Sequence, residues 1–277
     1  MIVGIYTNLN KDIDGVAAKQ LINILVKKNV DYYICSNSID LINDSNNISF
    51  DKLVDLSDVI FAFGGDGTML KVVSLSNENQ KPIVGVNLGK IGFLTDVAVD
   101  QMEKAVDSLI KGNYKIEKRQ LLKVKTNQSS YYSLNEAVLQ TVSGEHISVV
   151  SINIDDSYAT TVRSDGVMVS TPTGSTAYSL ACNGPILSPN VKAFIVNSIC
   201  PHSLHSVPMV ISDESEVRLK SLSKNMKLVV DGKIKETYQN DNEEIIITKA
   251  KHQALFIRFG NENFYQKLLQ KLSYWGD

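Results

Sequence analysis

A carboxylate set inside a run of glycines is the first feature of this 277-residue chain with the makings of chemistry. In Gly64-Gly65-Asp66-Gly67-Thr68 the glycines free the backbone for positive φ and let it approach a phosphate chain closely. A helix opening just after the loop adds unpaired N–H groups and partial positive charge. Asp66 is out of place in such an anion cradle, because its charge repels phosphate. It makes sense there if it accepts a proton from an attacking hydroxyl or helps to hold Mg²⁺. The same residues also suit a plain tight turn, in which Gly and Asp take left-handed conformations.

A second cluster lies further along. Asn135 and Glu136 interrupt a β-type run with an amide and a carboxylate, a pair able to satisfy ribose hydroxyls and base edges. As a solvated strand end the same pair needs no ligand. Arg163-Ser164-Asp165-Gly166-Val167 runs into Ser170-Thr171-Pro172-Thr173-Gly174-Ser175-Thr176-Ala177-Tyr178-Ser179. That stretch packs small hydroxyls beside Tyr178, a ring suited to stacking on a base, although an ordinary surface loop has a similar composition. Gly85-Val86-Asn87-Leu88-Gly89-Lys90-Ile91 is one residue short of a P-loop, and Ile91 replaces the hydroxyl residue that would hold Mg²⁺. No GxGxxG follows a strand, and no GxSxG elbow exists. Cys200, His202 and His205 are close in sequence but lack a fourth ligand, so no metal site is expected of them.

The elements that must position these residues change in character near residue 115. Before it, strand and helix signals alternate. Ile2 to Tyr6, Tyr32 to Cys35, Val59 to Phe63 and Ile83 to Val86 read as strands. Asp14 is expected to cap a helix bearing Ala17, Leu21, Ile24 and Leu25 on one face, and Met69 to Leu75 reads as a helix. Met102, Val106, Leu109 and Ile110 mark another, stopped by Gly112. An α/β domain with an open, mostly parallel sheet is expected over 1–114. Short β segments then follow at Leu121 to Lys125, Tyr131 to Val138, Ile147 to Ile154, Ala159 to Arg163, Val217 to Leu219, Leu228 to Val230, Glu244 to Thr248 and Leu255 to Phe259. Asp231-Gly232 is a two-residue hairpin signal. An all-β sandwich is expected over 115–259. Phe264, Leu268, Leu269 and Leu272 form the apolar face of a terminal helix, about 260–277, expected to pack back on the first domain.

At 43% hydrophobic the chain can bury a sizeable core, and its formal charge of −2 gives no basic stripe for nucleic acid. No apolar segment reaches the roughly 18 residues of a membrane span. Three scattered cysteines suit a reducing compartment, and the apolar opening at Met1 has no signal-peptide features. A cytoplasmic location without membrane or nucleic-acid partners is expected.

Taken in order, Gly64 to Thr68, Gly85 to Leu94, Asn135-Glu136, Ser164-Asp165-Gly166, Ser170 to Tyr178 and Pro201-His202-Ser203-Leu204 resemble the NAD kinase family, over most of the chain. The glycine loop alone is shared with diacylglycerol and sphingosine kinases and with phosphofructokinases, whereas the Thr-rich run with the Asn-Glu pair is more specific. The resemblance implies an α/β domain, a β-sandwich domain and an active site between them. It implies phosphorylation of the adenosine ribose 2′-hydroxyl of NAD to give NADP, from ATP or polyphosphate with a divalent cation, Mg²⁺. By position Asp66 becomes the general base. Gly64, Gly65, Gly67, Thr68 and Lys71 serve phosphate or dinucleotide contact, and Asn135 and Glu136 bind the dinucleotide. Arg163 and Asp165 line its nicotinamide side, and Thr176, Ala177 and Tyr178 hold the adenosine part. His146 and Cys200 fall at further binding positions. After Tyr178 the family pattern carries Ser-Ala-Gly-Gly where this chain has Ala181-Cys182-Asn183-Gly184. The hydroxyl missing from Ala181 removes one hydrogen bond to substrate, on the order of 1 kcal/mol. After Asp231-Gly232, Lys233 stands where the family has Gln. A homodimer or homotetramer is implied. The rival readings are a lipid or sugar kinase sharing the glycine loop, and a non-catalytic sensor of NAD or NADP.

Overall fold

The structure, a computed structural model, describes residues 1–35, 46–76, 78–89, 92–143, 146–203, 206–260 and 264–273. Lys90, Ile91, Leu204 and His205, singled out above, lie outside the described residues, as does the side chain of Leu272. The chain divides into two compact units, Met1–Lys118 with Ala254–Asp277, and Arg119–Gln253.

The first unit is built on parallel strands β1 (Ile2–Thr7), β2 (Asp31–Cys35), β3 (Asn47–Ile48), β4 (Val59–Gly64) and β5 (Ile83–Asn87). They lie in the order β3-β2-β1-β4-β5, with the short β6 (Val97–Ala98) paired to the end of β5. From β1 the chain winds outward to β2 and β3, and from β4 it winds the other way to β5. The order therefore reverses between β1 and β4, and open α/β sheets place ligands beyond the carboxyl ends of the strands at such a switch. Every residue of β4 is buried, as its unbroken apolar run requires of a strand covered on both faces. One face packs Val3, Ile5, Phe61, Phe63, Val84 and Val86 against Leu21 and Leu25 of α1 (Val16–Lys27) and Met102, Val106 and Leu109 of α4 (Met102–Ile110). α2 (Phe50–Leu56) and α3 (Asp66–Ser76) contribute buried Leu53, Val54, Met69 and Val72. Each such side chain contributes roughly 1.5–3 kcal/mol on leaving water.

The helix cap differs from expectation. Asp14 sits at φ 58° in a short turn of 3₁₀ helix. Asp12 takes the capping role: its carboxylate accepts from the N–H groups of Ala17 and Ala18 at 2.9 and 3.1 Å and from Thr7 Oγ1 at 2.9 Å. Asp12 is buried, so only it is held where the first-turn donors converge.

The terminal helix differs too. In α6 (Phe264–Ser273) Phe264 and Leu268 are half-buried as expected, but Leu269 is 68% exposed while Lys267 is buried. Phe264 still packs on the first unit, its ring centroid 6.0 Å from that of Phe93. The inward face thus carries Phe264, Lys267 and Lys271, at helical spacing, because carboxylates rather than apolar side chains await the two lysines.

The second unit has two sheets sharing one core. Its all-antiparallel sheet runs β14 (Met209–Ser212), β13 (Ala193–Ile199), β12 (Gly166–Ser170), β9 (Glu136–Thr141), β16 (Met226–Val230), β17 (Lys233–Tyr238). The facing strands are β11 (Ser157–Ser164), β10 (Ser148–Ile154), β15 (Val217–Ser221) and the start of β18 (Glu244–Arg258). Leu139, Val167, Val169, Phe194 and Leu228 from the first meet Val150, Ile152, Leu219, Ile245 and Ile247 from the second. This is the expected sandwich. Asp231 and Gly232 join β16 to β17 with φ of 46° and 73°, the paired left-handed conformations of a tight hairpin. Two segments differ from the sequence reading. Tyr131 to Val138 is not one strand but β8 (Ser130–Ser133), paired with the end of β7 (Lys115–Lys125), and β9, broken at Leu134-Asn135. Glu244 to Arg258 is one long strand, continuous through Lys249 to Ala254.

Candidate active site

In the first unit the glycine loop stands at the end of β4, beside the switch between β1 and β4. Gly64 takes φ 154°, and a side chain there would run into Thr68, so this position needs glycine. Thr68 is buried, accepts from Asn8 Nδ2 at 3.3 Å, and its N–H donates to Gly65 O at 2.9 Å, closing the first turn of α3. Lys11, from the loop after β1, hangs over the turn: a methyl on Gly65 would come within 2.9 Å of its Nζ. Gly67 is exposed and faces open space. Lys71, one turn along α3, is exposed with its Nζ 5.5 Å from the centre of the Tyr6 ring.

Asp66 is the first residue of α3, where a carboxylate is favoured by the helix dipole. Its Oδ2 accepts from Phe93 N and its Oδ1 from Leu94 N, both at 3.0 Å. Lys271 Nζ lies 3.1 Å from Oδ2. Gly92 backs onto the carboxylate, and any side chain there would overlap Oδ1. The stretch that follows the P-loop-like Gly85 to Ile91 therefore holds the aspartate through the amides of Phe93 and Leu94.

In the second unit the two segments singled out from the sequence are bonded to each other. Thr171 Oγ1 donates to Leu134 O at 2.5 Å, and Thr171 N to Asn135 O at 2.9 Å. Gly174 lies so close to the Asn135 carbonyl that a side chain would not fit. Thr176 is buried, Ala177 partly so, and Tyr178 opens the four-residue helix α5 (Tyr178–Ala181) with 40% exposure. Glu136 is 6% exposed and accepts from the Tyr178 N–H. Burial, then the charge of Asp231, push its carboxyl up to about 8. Burial, followed by Cys182, Cys200, Asp165 and Glu136, pushes the Tyr178 hydroxyl up, so these groups share one neighbourhood. Arg163, Asp165, His146, Ala181 and Cys200 are exposed. At the departure from the family pattern, Asn183 takes φ 61° and Gly184 N returns to Ser179 O at 2.8 Å. Asn is the residue after Gly that best tolerates that conformation, so the helix ends in an ordinary left-handed cap.

Several site-building residues carried no motif. Asp231 read only as a turn residue, yet its carboxylate accepts from Ser133 Oγ at 2.6 Å and from the amides of Leu134, Asn135 and Glu136 at 2.9, 2.8 and 3.3 Å. Those bonds break the strand before Glu136. Lys271 was hidden in a terminal helix judged by its leucines; its i, i+4 spacing from Lys267 was the available signal. A cavity of about 180 Å³ in the first unit is lined by Asp96, Gln101, Lys104 and Phe259, and does not include the glycine loop.

A family model described as the ATP-NAD kinase N-terminal domain matches residues 3–114, and one described as the ATP-NAD kinase C-terminal domain matches 134–259. Among relatives, an NAD kinase of Methanothermobacter thermautotrophicus is 39% identical over 78% of this chain and 76% of its own length. An NAD kinase of Chloroherpeton thalassium is 34% identical over 99% of this chain and 97% of its own. A crystal structure of yeast NADH kinase complexed with NADH superposes with a TM-score of 0.89 at 26% identity, covering 99% of this chain and 88% of that one. An Archaeoglobus fulgidus NAD kinase in complex with ATP shares the fold, with a TM-score of 0.80. With both domains matched in order and relatives aligned along nearly its whole length, the chain belongs to the NAD kinase family.

Proposed function

We propose that Asp66 is the general base of an NAD kinase and that its fixed carboxylate is the centre of the reaction. The chain phosphorylates NAD to NADP. In the step proposed, the adenosine ribose 2′-oxygen forms a bond to the terminal phosphorus of the donor. Asp66 takes the hydroxyl proton, the bond from phosphorus to the leaving group breaks, and the electron pair departs with that group. The proton then passes from Asp66 to solvent. Catalysis of this kind is mainly positioning and electrostatics. The N-terminus of α3 with the exposed Gly67, together with Lys11, is offered to the donor's phosphates, the Thr68 and Met69 amides being spent on Gly65 O.

In the second unit, Asn135, Glu136, Thr176, Ala177 and Tyr178 are assigned to the dinucleotide, with Arg163 and Asp165 on its nicotinamide side. His146, Ala181 and Cys200 are peripheral contacts. Glu136 presents a protonated carboxyl at neutral pH, a donor as well as an acceptor toward ribose hydroxyls.

The loop does not fit a resident divalent cation. Both oxygens of Asp66 already accept amides, one faces an ammonium group, and no group of three Asp, Glu, His or Cys residues suited to a metal occurs among the described residues. Mg²⁺ is therefore assigned to the donor, arriving as its complex. Either ATP or polyphosphate is compatible with a cradle built from backbone amides. We further propose a cytoplasmic enzyme that assembles as a homodimer or homotetramer. Three free cysteines suit a reducing compartment, and no helix among the described residues is long and apolar enough to cross a membrane.

The observation that carries the assignment is the Asp66 carboxylate held by two successive amides at the sheet's switch point. Asp66→Asn is expected to lower turnover by at least about 100-fold with NAD binding retained in calorimetry. A variant of near-normal rate overturns the assignment. Incubating the protein with NAD, Mg²⁺ and either ATP or polyphosphate, and measuring NADP, identifies the donor.

A further inference from the structure

Asp66 has an ionic partner that the reaction as described does not use. Lys271, near the end of α6, places Nζ 3.1 Å from Oδ2 and 4.2 Å from the centre of the Phe93 ring. Its side chain is only 24% exposed. One turn earlier on the same face, Lys267 is buried, pairs with Asp96 and donates to Thr95 O at 3.3 Å. Arg258 holds the same stretch through Leu94 O at 3.0 Å. Cations from α6 and from the end of β18 thus fasten the segment whose amides grip Asp66, and Lys271 reaches past it to the carboxylate itself.

A carboxylate offers about four lone pairs. On Oδ2 two are taken, by Phe93 N and Lys271 Nζ. On Oδ1 one is taken, by Leu94 N. Gly92 packs against Oδ1, where any side chain would overlap it. The remaining acceptor site is therefore on Oδ1.

We propose that Lys271 is a positioning residue of the kinase: it saturates Oδ2, turns the open lone pair of Oδ1 toward the substrate hydroxyl, and offsets the charge that Asp66 would otherwise present to the donor's phosphates. This rests on Asp66 being the base. Two opposite charges at hydrogen-bond distance interact strongly enough, even near a surface, to fix the carboxylate's rotation. A misplacement of about 1 Å at a reacting group is enough to cost as much as 100-fold in rate. The other nearby cations are placed differently, Lys11 over Gly65 and Lys71 over Tyr6.

The test compares Lys271→Met, Lys271→Gln and Lys271→Arg in the full chain, alone and combined with Asp66→Asn, following kcat, KM for NAD and the thermal midpoint. Expected is a loss in kcat of at least about tenfold in Met and Gln, an unchanged KM for NAD, and recovery of most of the rate in Arg. The residual rate of Asp66→Asn should fall no further when Lys271→Met is added, since the lysine acts through the carboxylate. Two neutral variants are used so that a folding defect in one, seen as a lost cooperative melt, leaves the other to decide. An unchanged or raised kcat in the folded neutral variant, or a full additive loss in the double variant, overturns the proposal while Asp66 as base survives. Near-normal turnover of Asp66→Asn overturns both.

Discussion

Asp231 binds the backbone on either side of Asn135 through three successive amides, and its charge opposes ionisation of the buried Glu136 carboxyl. One carboxylate therefore shapes the Leu134-to-Glu136 bend and adds to the burial that raises the other. Burial pushes the Asp231 carboxyl up, and its hydrogen bonds from Ser133 and the amides offset only part of that rise.

The first prediction follows from the proton on Glu136, held to about 8 in the fold against an ordinary 4.5. Between those values the folded chain binds more protons than the unfolded one. Its stability should therefore fall as pH rises through the window, with a contribution from this group approaching about 1.4 kcal/mol per pH unit. Glu136→Gln cannot ionise and should flatten that part of the profile. Urea unfolding of both proteins at pH 5.5, 6.5 and 7.5 measures it; parallel profiles would refute the assignment.

The second concerns Asp231 itself. Asp231→Ala leaves a hydroxyl and three amides without their acceptor, and an unsatisfied buried donor costs about 1–3 kcal/mol. Water can reach part of this bend, so a net loss of about 2 kcal/mol in urea unfolding is expected, with a raised KM for NAD. Unchanged stability and KM would show that the bend at Leu134-Asn135 forms without it.

Much of this architecture was legible in the chain, for identifiable reasons. The β4 run Val59 to Phe63 announced a doubly covered strand, and Asp231-Gly232 announced its hairpin, because both signals are local. What escaped depended on distant partners. Asp12 rather than Asp14 caps α1 because the fold buries Asp12 beside Thr7. The inward face of α6 bears lysines because Asp66 and Asp96 lie opposite, some 170 to 205 residues away in sequence. The glycine loop singled out Asp66, but nothing in it named Phe93, Leu94 or Lys271 as the groups bonded to its carboxylate.

The third prediction tests the packing of the Thr-rich loop on the Asn-Glu segment. The neighbour of Gly174 is the backbone of Asn135, which cannot swing aside as a flexible side chain would. Gly174→Ala should therefore cost about 1–3 kcal/mol and raise KM for NAD, because the loop bearing Thr176 and Tyr178 must shift. A silent variant, by thermal melt and by KM, would show that the two segments move independently.

The last prediction sets two glycines against each other. Around Gly67 nothing lies within 4 Å of where a side chain would begin, so the fold does not require glycine there. Gly67→Ala places a better helix former in the first turn of α3 and should leave the melting temperature unchanged or higher. Its methyl projects into the space assigned to the donor's phosphates, so KM for the donor should rise. Gly92→Ala meets the opposite situation, since its methyl would overlap Asp66 Oδ1 and force the carboxylate off its amides. That variant should lose kcat by about 100-fold or more with little change in the donor's KM. If the two variants exchanged these effects, the donor's phosphates would lie against Gly92 and not over Gly67. The loop would then have to be read the other way round.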